Sequence, residues 1–434
     1  MQKNIKTDIK YIEKINKNLK LGEEIKMKPK KQKRKNDGNI NLLYFDKNES
    51  KIINKKKIIG CLIIAIIILI LVVLYIIYAK NETFRKYLDE NILNKEIEEN
   101  HLKSIKIIDY EKSNIFAFSK YIGILNNNKL TTFNESGKKE SENRIEISNP
   151  ISSNNGRYLM IAEKKGTKVY LMEENNIKWE KDLEGQITRV SVNSNGYSSI
   201  IVSGTAYKSV IIAFDNAGNE LFKRYLSSTI AVDTVISEDN KYLSMAEVNT
   251  TGTLIESSIE VISIENAKKE PEKAVVYKYK EPSNELILDI KYQNKTKLVC
   301  EYNKSIHIIK DNKDTKIMEL DDEKEKTTFV SINLDNNIVK NVEETAGIFN
   351  TRTFVKIINS INKKESIYKF EGAIKELYCN NNKIALNLGT EIHFIDTNGW
   401  LIKKYTSSKE VRKIVLTDEL AGIVYRDKIE IIKF

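Results

Sequence analysis

Three cysteines and three histidines are all that 434 residues contain, and each shortage removes a class of chemistry. Cys61, Cys300 and Cys379 form no CxxC pair and show no metal-ligand spacing, so neither a zinc site nor a disulfide framework is indicated. A single Cys300–Cys379 bridge is the one pairing open to an oxidising compartment. His101, His307 and His393 are too few to assemble a Ser-His-Asp or His-metal centre readily. Glycine, at 17 residues, never falls as GxGxxG, which removes the Gly-rich phosphate loop. Net charge is also missing from most of the chain. Residues 1–57 hold 18 Lys/Arg against 7 Asp/Glu, a net of +11, and the whole chain is also +11, so residues 58–434 balance at 53 of each sign. A body without net charge grips a polyanion poorly, and nucleic acid is not an expected partner.

Against these shortages stands one long apolar run, "IIGCLIIAIIILILVVLYIIYA", 22 residues from Ile58 to Ala79 without a charge or a proline. At about 1.5 Å rise per residue it spans roughly 33 Å, matching a bilayer core of about 30 Å. A core helix of that length would keep a polar face, and a signal peptide would be shorter and carry a small-residue cleavage site. We read 58–79 as a transmembrane helix. Lys55, Lys56 and Lys57, with "KPKKQKRK" (28–35) behind them, outweigh the mixed charges after Ala79, so the positive-inside rule puts 1–57 in the cytoplasm and the rest outside. The basic run also suits anionic lipid, making the bilayer itself a partner. Ile5, Ile9, Ile12, Ile15 and Leu19 recur at helical steps among lysines, the pattern of a basic amphipathic helix or a solvated one. Residues 1–57 read as a basic, partly disordered tail, and 80–103, with Phe84, Leu88 and Ile92 at helical spacing, as a helical stalk.

From residue 104 the texture changes to short β-rich runs broken by Asn, Asp, Gly and Ser. One polar turn recurs before a strand, in "SSNNGRYLMIA" (152–162), "NSNGYSSIIVS" (193–203), "SEDNKYLSMAE" (237–247), "YQNKTKLVCEY" (292–302) and "CNNNKIALNLG" (379–389). A second, D/N-x-x-G, forms hairpins in "TFNESGKKE" (132–140), "AFDNAGNEL" (213–221) and "FIDTNGWLI" (394–402), with "YLMEENNIKWE" (170–180) placing Asn176 where Gly would stand. The steps are about 40 to 54 residues, three or four strands each, which means a β-propeller. The last unit (411–434) supplies three strands and stops, while "SIKIIDY" (104–110) has no partner of its own. Pairing the two ends closes the ring and removes an open edge. The expected fold is an all-β, eight-bladed propeller over 104–434, with seven blades as the alternative.

"FDNAGNELF" (214–222), "IDTNGWLIKKY" (395–405) and "NNIKWEKDL" (175–183) resemble the D-x-x-G-K-x-x-W repeat of quinoprotein-like (PQQ-type, WD40-like) β-propellers. The layout of basic tail, single span and Lys/Asn-rich propeller is similar to an uncharacterised family of single-pass membrane proteins of low-GC Gram-positive bacteria. The resemblance implies that Trp179 and Trp400 pack neighbouring blades together. Quinoprotein enzymes hold their cofactor with Ca²⁺ over the propeller funnel and often carry adjacent cysteines there. This chain has no Cys-Cys pair, so no cofactor, metal or catalytic residue is expected. His307 in "SIHIIK" and His393 in "EIHFID" hold the same place in their repeats, which points to a shared packing role. "ENAKKEPEKAVVYKYKEPS" (265–283) enlarges its repeat, as recognition loops do. The expected function is a non-catalytic binding or scaffolding module of the cell envelope, with a protein or cell-wall partner on a propeller face. The alternatives are a quinoprotein-like enzyme or a ligand sensor signalling through the span.

Overall fold

The computed structural model describes residues 55–434 except 94, 98–101, 205, 281–284, 321–324 and 346–350. The basic tail before residue 55 and His101 lie outside the described residues. Two compact units divide between Ile76 and Ile77. Helix α1 (Lys55–Lys80) carries that boundary and contains the expected 58–79 span, including the backbone of Lys55, Lys56, Lys57 and Ile58. Its stretch Ile59–Lys80 is long and apolar enough to cross a membrane.

The helical stalk is shorter than the spacing suggests. Helix α2 (Glu82–Asn91) opens on Asn81, whose side chain accepts the Phe84 amide, and stops at Asn91. Glu96–Ile97 then runs parallel to Leu401–Thr406 as an added edge strand, so 80–103 is not one helix. A buried ion pair fixes this segment. Lys95 Nζ lies 2.8 Å from Asp89, a residue 2% exposed, and also donates to Leu401 O.

Eight sheets follow, each with a run of consecutive antiparallel strands whose first member is innermost; blade 7 adds the parallel Glu96–Ile97 edge, and blade 8 borrows its outermost strand from before blade 1. Blades 1 to 7 cover 114–144, 150–182, 186–226, 229–280, 287–319, 325–370 and 376–406. Blade 8 takes three strands from 413–433 and its fourth from Lys103–Lys106, with Ile105 opposite Ile429. The ring is closed by its two ends, as the unpaired first strand suggested.

The side chains explain why sheets stack in a ring. Middle strands are apolar on both faces, as in "SSIIVS" (Ser198–Ser203) and "SVIIAF" (Ser209–Phe214), because a blade is covered on both sides. Outer strands alternate, as in "NIKWEKD" (Asn176–Asp182). Among the described residues the buried apolar side chains form eight clusters, one at each blade interface from 1–2 round to 8–1. Each fully buried aliphatic contributes about 1.5–3 kcal/mol of transfer free energy, so every interface is an apolar core in its own right.

The hairpins use one device. Asn134, Asp215 and Asp396 each accept main-chain amides two and four residues on, at 2.8–3.1 Å. In blade 2 the left-handed residue is Glu174 (φ 51°) rather than Asn176, which already belongs to the next strand. The enlarged repeat in blade 4 folds back: Ile264, Ala267 and Ala274 are buried against Phe222 and Leu226 of blade 3.

Candidate functional site

Eight innermost strands enclose a central channel with a cavity of about 630 Å³, lined by Ser152, Arg189, Asp233, Lys291, Asn333 and Lys413 among others. Its charged wall comes from a repeated irregularity. In blades 3, 4 and 5 the innermost strand slips register at the same place, between Ile187 and Arg189, Ala231 and Asp233, and Ile287 and Asp289. A β-bulge re-aims the side chain that follows it. Here the following residues are Arg189, Asp233 and Asp289, at equivalent positions of three consecutive blades.

The three converge. Arg189 Nε donates to Asp233 Oδ1 at 3.0 Å and Arg189 Nη2 to Asp289 Oδ1 at 2.8 Å. Asp233, 3% exposed, also accepts the amides of Thr234 at 2.9 Å and Ile290 at 3.2 Å. Burial and the neighbouring Asp289 push the Asp233 carboxyl up to about 8, against the pull of Arg189. Glu301, cross-strand from Asp289, is raised to about 7 by burial and by the same neighbour. One guanidinium thus clasps three blades and holds two acids close together.

Beyond the clasp the wall turns basic. Lys291 is packed round by protein yet reaches the channel, and burial lowers its proton affinity. Lys413 is lowered for the same reason. Cys379, also on the wall, is pushed up to about 12 by burial and so is a poor nucleophile at neutral pH. Cys300 and Cys379 are free thiols on blades 5 and 7.

The recurring polar turns do more than turn. Asn154 donates to Ala117 O at 3.0 Å, Asn193 to Ser237 O at 3.0 Å, Gln293 to Leu334 O at 3.0 Å and Asn380 to Leu416 O at 3.2 Å. These amides staple blades 1–2, 3–4, 5–6 and 7–8 at the channel wall. His307 and His393 share a packing role, as their equivalent places imply. His307 Nδ1 meets Asp314 at 2.8 Å beside Tyr279 of blade 4. His393 meets Glu391 and Tyr368 OH, both at 2.9 Å, beside Phe370 of blade 6. Trp179 does join blades, lying on Phe214 and Gly218 of blade 3. Trp400 differs: its ring meets Tyr78 edge-on at 5.6 Å. It follows Gly399 directly, whereas Lys403 holds the register of Trp179.

Links between second and third strands, and between successive blades, emerge on the same face, opposite the hairpins. On that face blades 3–5 expose Tyr207, Tyr225, Ile230, Leu254, Ile255 and Leu288, with Leu254 60% exposed. Leu288 is the bulge residue directly before Asp289.

Among the described residues no group of three or more His, Cys, Asp and Glu could hold a metal. The acids that do converge, Asp233 and Asp289, already hold the Arg189 cation where a Ca²⁺ would need them, so this donor set does not fit a quinone cofactor's calcium.

Fold and channel together define an eight-bladed β-propeller with a charged axial channel. The chain belongs to a family of unknown function, DUF5711, whose model matches residues 94–434. Among curated proteins no sequence matches it. In fold it is similar to BamB from Moraxella catarrhalis (10% identity, TM-score 0.46, 77% of this chain and 99% of that one). It is also similar to Sqt1 from Chaetomium thermophilum (10%, 0.49, 77% and 98%) and to the dihydro-heme d1 dehydrogenase NirN (10%, 0.49, 76% and 75%).

Proposed function

We propose that this chain is a membrane-anchored, extracytoplasmic propeller that binds a protein or another cell-envelope component without catalysing a reaction. The anchor is Ile59–Lys80, and the lysine excess before it argues for a cytoplasmic N-terminus. The observation that carries the binding reading is that blades 3–5 expose Tyr207, Tyr225, Ile230, Leu254, Ile255 and Leu288 on one face. Large apolar side chains exposed together on one face of a rigid scaffold favour an interaction site. The test is purification of the full chain from solubilised membranes. A component that co-purifies with the parent is expected to be lost from the double variant Ile230→Glu/Leu254→Glu and kept by Ile361→Glu, a change at an exposed residue on the hairpin face. Equal retention by all three contradicts the reading.

A second reading, an enzyme, draws on Asp233, because an acid with raised proton affinity on a cavity wall is a feature of active sites. The clasp by Arg189 and the main-chain amides weighs against it, since this acid is already engaged. Turnover that disappears in Asp233→Asn would favour the enzyme.

A further inference from the structure

We propose that the hairpin rim of blades 6 and 7 lies on the bilayer that holds the span and meets anionic phospholipid headgroups there. This rests on the membrane-anchored reading and goes beyond it, because an anchor alone leaves open which part of the propeller meets the lipid.

The argument starts at Tyr78, in the last turn of the apolar stretch Ile59–Lys80. A helix rises about 1.5 Å per residue, so Tyr78 stands within a few ångströms of the hydrocarbon boundary once the helix crosses. Its hydroxyl donates to Asp89 Oδ1 at 2.7 Å and accepts from Lys95 Nζ at 3.0 Å. Its ring meets Trp400 edge-on at 5.6 Å, and Lys95 also donates to Leu401 O. The blade 7 hairpin is therefore held to the end of the span by a ring contact and a buried ion pair. Trp and Tyr are the side chains that settle at headgroup level, with an apolar ring and one wet edge. Tyr78 and Trp400 form such a pair.

The rim beside Trp400 has the composition of an interfacial surface. Gly399 packs on the outer strand of blade 6, where a Cβ would stand 3.1 Å from Ile367 O. Ile367 is exposed, and Ile361, at the tip of the blade 6 hairpin, is 68% exposed. Ile92 and Leu93, exposed as well, follow α2 directly. Lys363 and Lys364 next to Ile361 are both exposed and face one exposed acid, Glu365, so that hairpin is net positive. Asp396, the acid of the blade 7 hairpin, is engaged by the amides of Asn398 at 2.9 Å and Trp400 at 2.8 Å. Apolar tips among lysines bind a membrane by shallow insertion and by attraction to anionic lipid. Position decides the occupant: whatever covers this rim must share the plane of the headgroups, and the bilayer does so with no further component.

The experiment is tryptophan quenching in the full chain, by lipids brominated on the acyl chain near the headgroup. The chain is reconstituted into phosphatidylcholine vesicles with and without phosphatidylglycerol. Trp179→Phe leaves Trp400 as the one tryptophan, and its emission is expected to be lost in large part. A second background, Trp179→Phe/Trp400→Phe, keeps a ring against Tyr78 and carries Ile361→Trp or, on the opposite face, Leu254→Trp. The probe at 361 should be quenched, more with phosphatidylglycerol than without, and that increment should vanish in Lys363→Gln/Lys364→Gln. The probe at 254 should keep its emission. Both probes share one background, so a folding defect would move them alike. Flotation separates the two readings. A chain that does not float with the vesicles overturns the anchor and the docking with it. A floating chain whose Trp400 escapes quenching, or whose probes at 361 and 254 are quenched equally, overturns the docking alone.

Discussion

Burial and the neighbouring Asp289 raise the proton affinity of Asp233, and this gives stability a definite pH slope. Its proton affinity is raised from 3.8 to about 8, and that of Glu301 from 4.5 to about 7. Folded chains therefore hold more protons than unfolded ones across this window. The stabilisation is complete below the unfolded values and is lost as pH climbs through the folded ones. Urea midpoints are expected to fall between about pH 5 and about pH 8, and Asp233→Asn, which stays neutral beside Asp289 and Arg189, to flatten that fall. A variant with the parent's slope contradicts this account of the clasp. Gly218 offers a second test. Its φ is +83°, and a Cβ there would stand 2.8 Å from Trp179 Cγ, whereas Gly156, at φ +55°, has nothing within 4 Å. Both alanine variants carry backbone strain, but only Gly218→Ala drives a methyl into the indole. It is expected to cost about 1–3 kcal/mol more than Gly156→Ala in urea unfolding.

Strands and hairpins were legible in the sequence because their causes are local. Asp215 and Asp396 bond their own turns, so D-x-x-G announces a hairpin wherever it falls. The closing strand was legible too, since an unpaired first strand and a three-stranded last unit leave only one economical pairing. The clasp was not legible. A bulge has no composition of its own, and "TIAVDTVI" (Thr229–Ile236) reads as one uninterrupted strand until its pairing to the next strand exposes the slip before Asp233. The staples were missed for another reason: Asn193 and Asn380 suit a turn so well that their reach to the next blade left no trace. The stalk failed because α2 ends where Lys95 finds Asp89 and blade 7, a tertiary contact that helical spacing cannot register. Breaking a buried pair by removing one partner costs about 3–5 kcal/mol. Asp89→Ala is expected to release 82–97 from blade 7, exposing it to limited proteolysis while the propeller's melting temperature holds. Proteolysis at the parent rate would contradict the latch.

At the scale of the whole molecule, charge and apolarity are segregated. All net charge precedes the apolar helix, and the balanced propeller follows it. Blades 3–5 expose six large apolar side chains on one face and also build part of the charged channel wall. Topology is open to a direct check. In a Cys379→Ser background, Leu254→Cys is expected to react with a membrane-impermeant maleimide on intact cells, as it does after lysis; of the other native thiols, Cys300 is buried and Cys61 lies within the apolar helix. Labelling only after lysis would put the propeller in the cytoplasm.

The account rests on the claim that this face meets a partner outside the cell, and the most direct measurement is photo-crosslinking in living cells from a single probe at position 254. A discrete, reproducible adduct is expected there. It should be absent with the probe at exposed position 361 on the hairpin face, and lost when Ile230→Glu is added. No adduct from position 254, or the same adduct from both faces, contradicts the account.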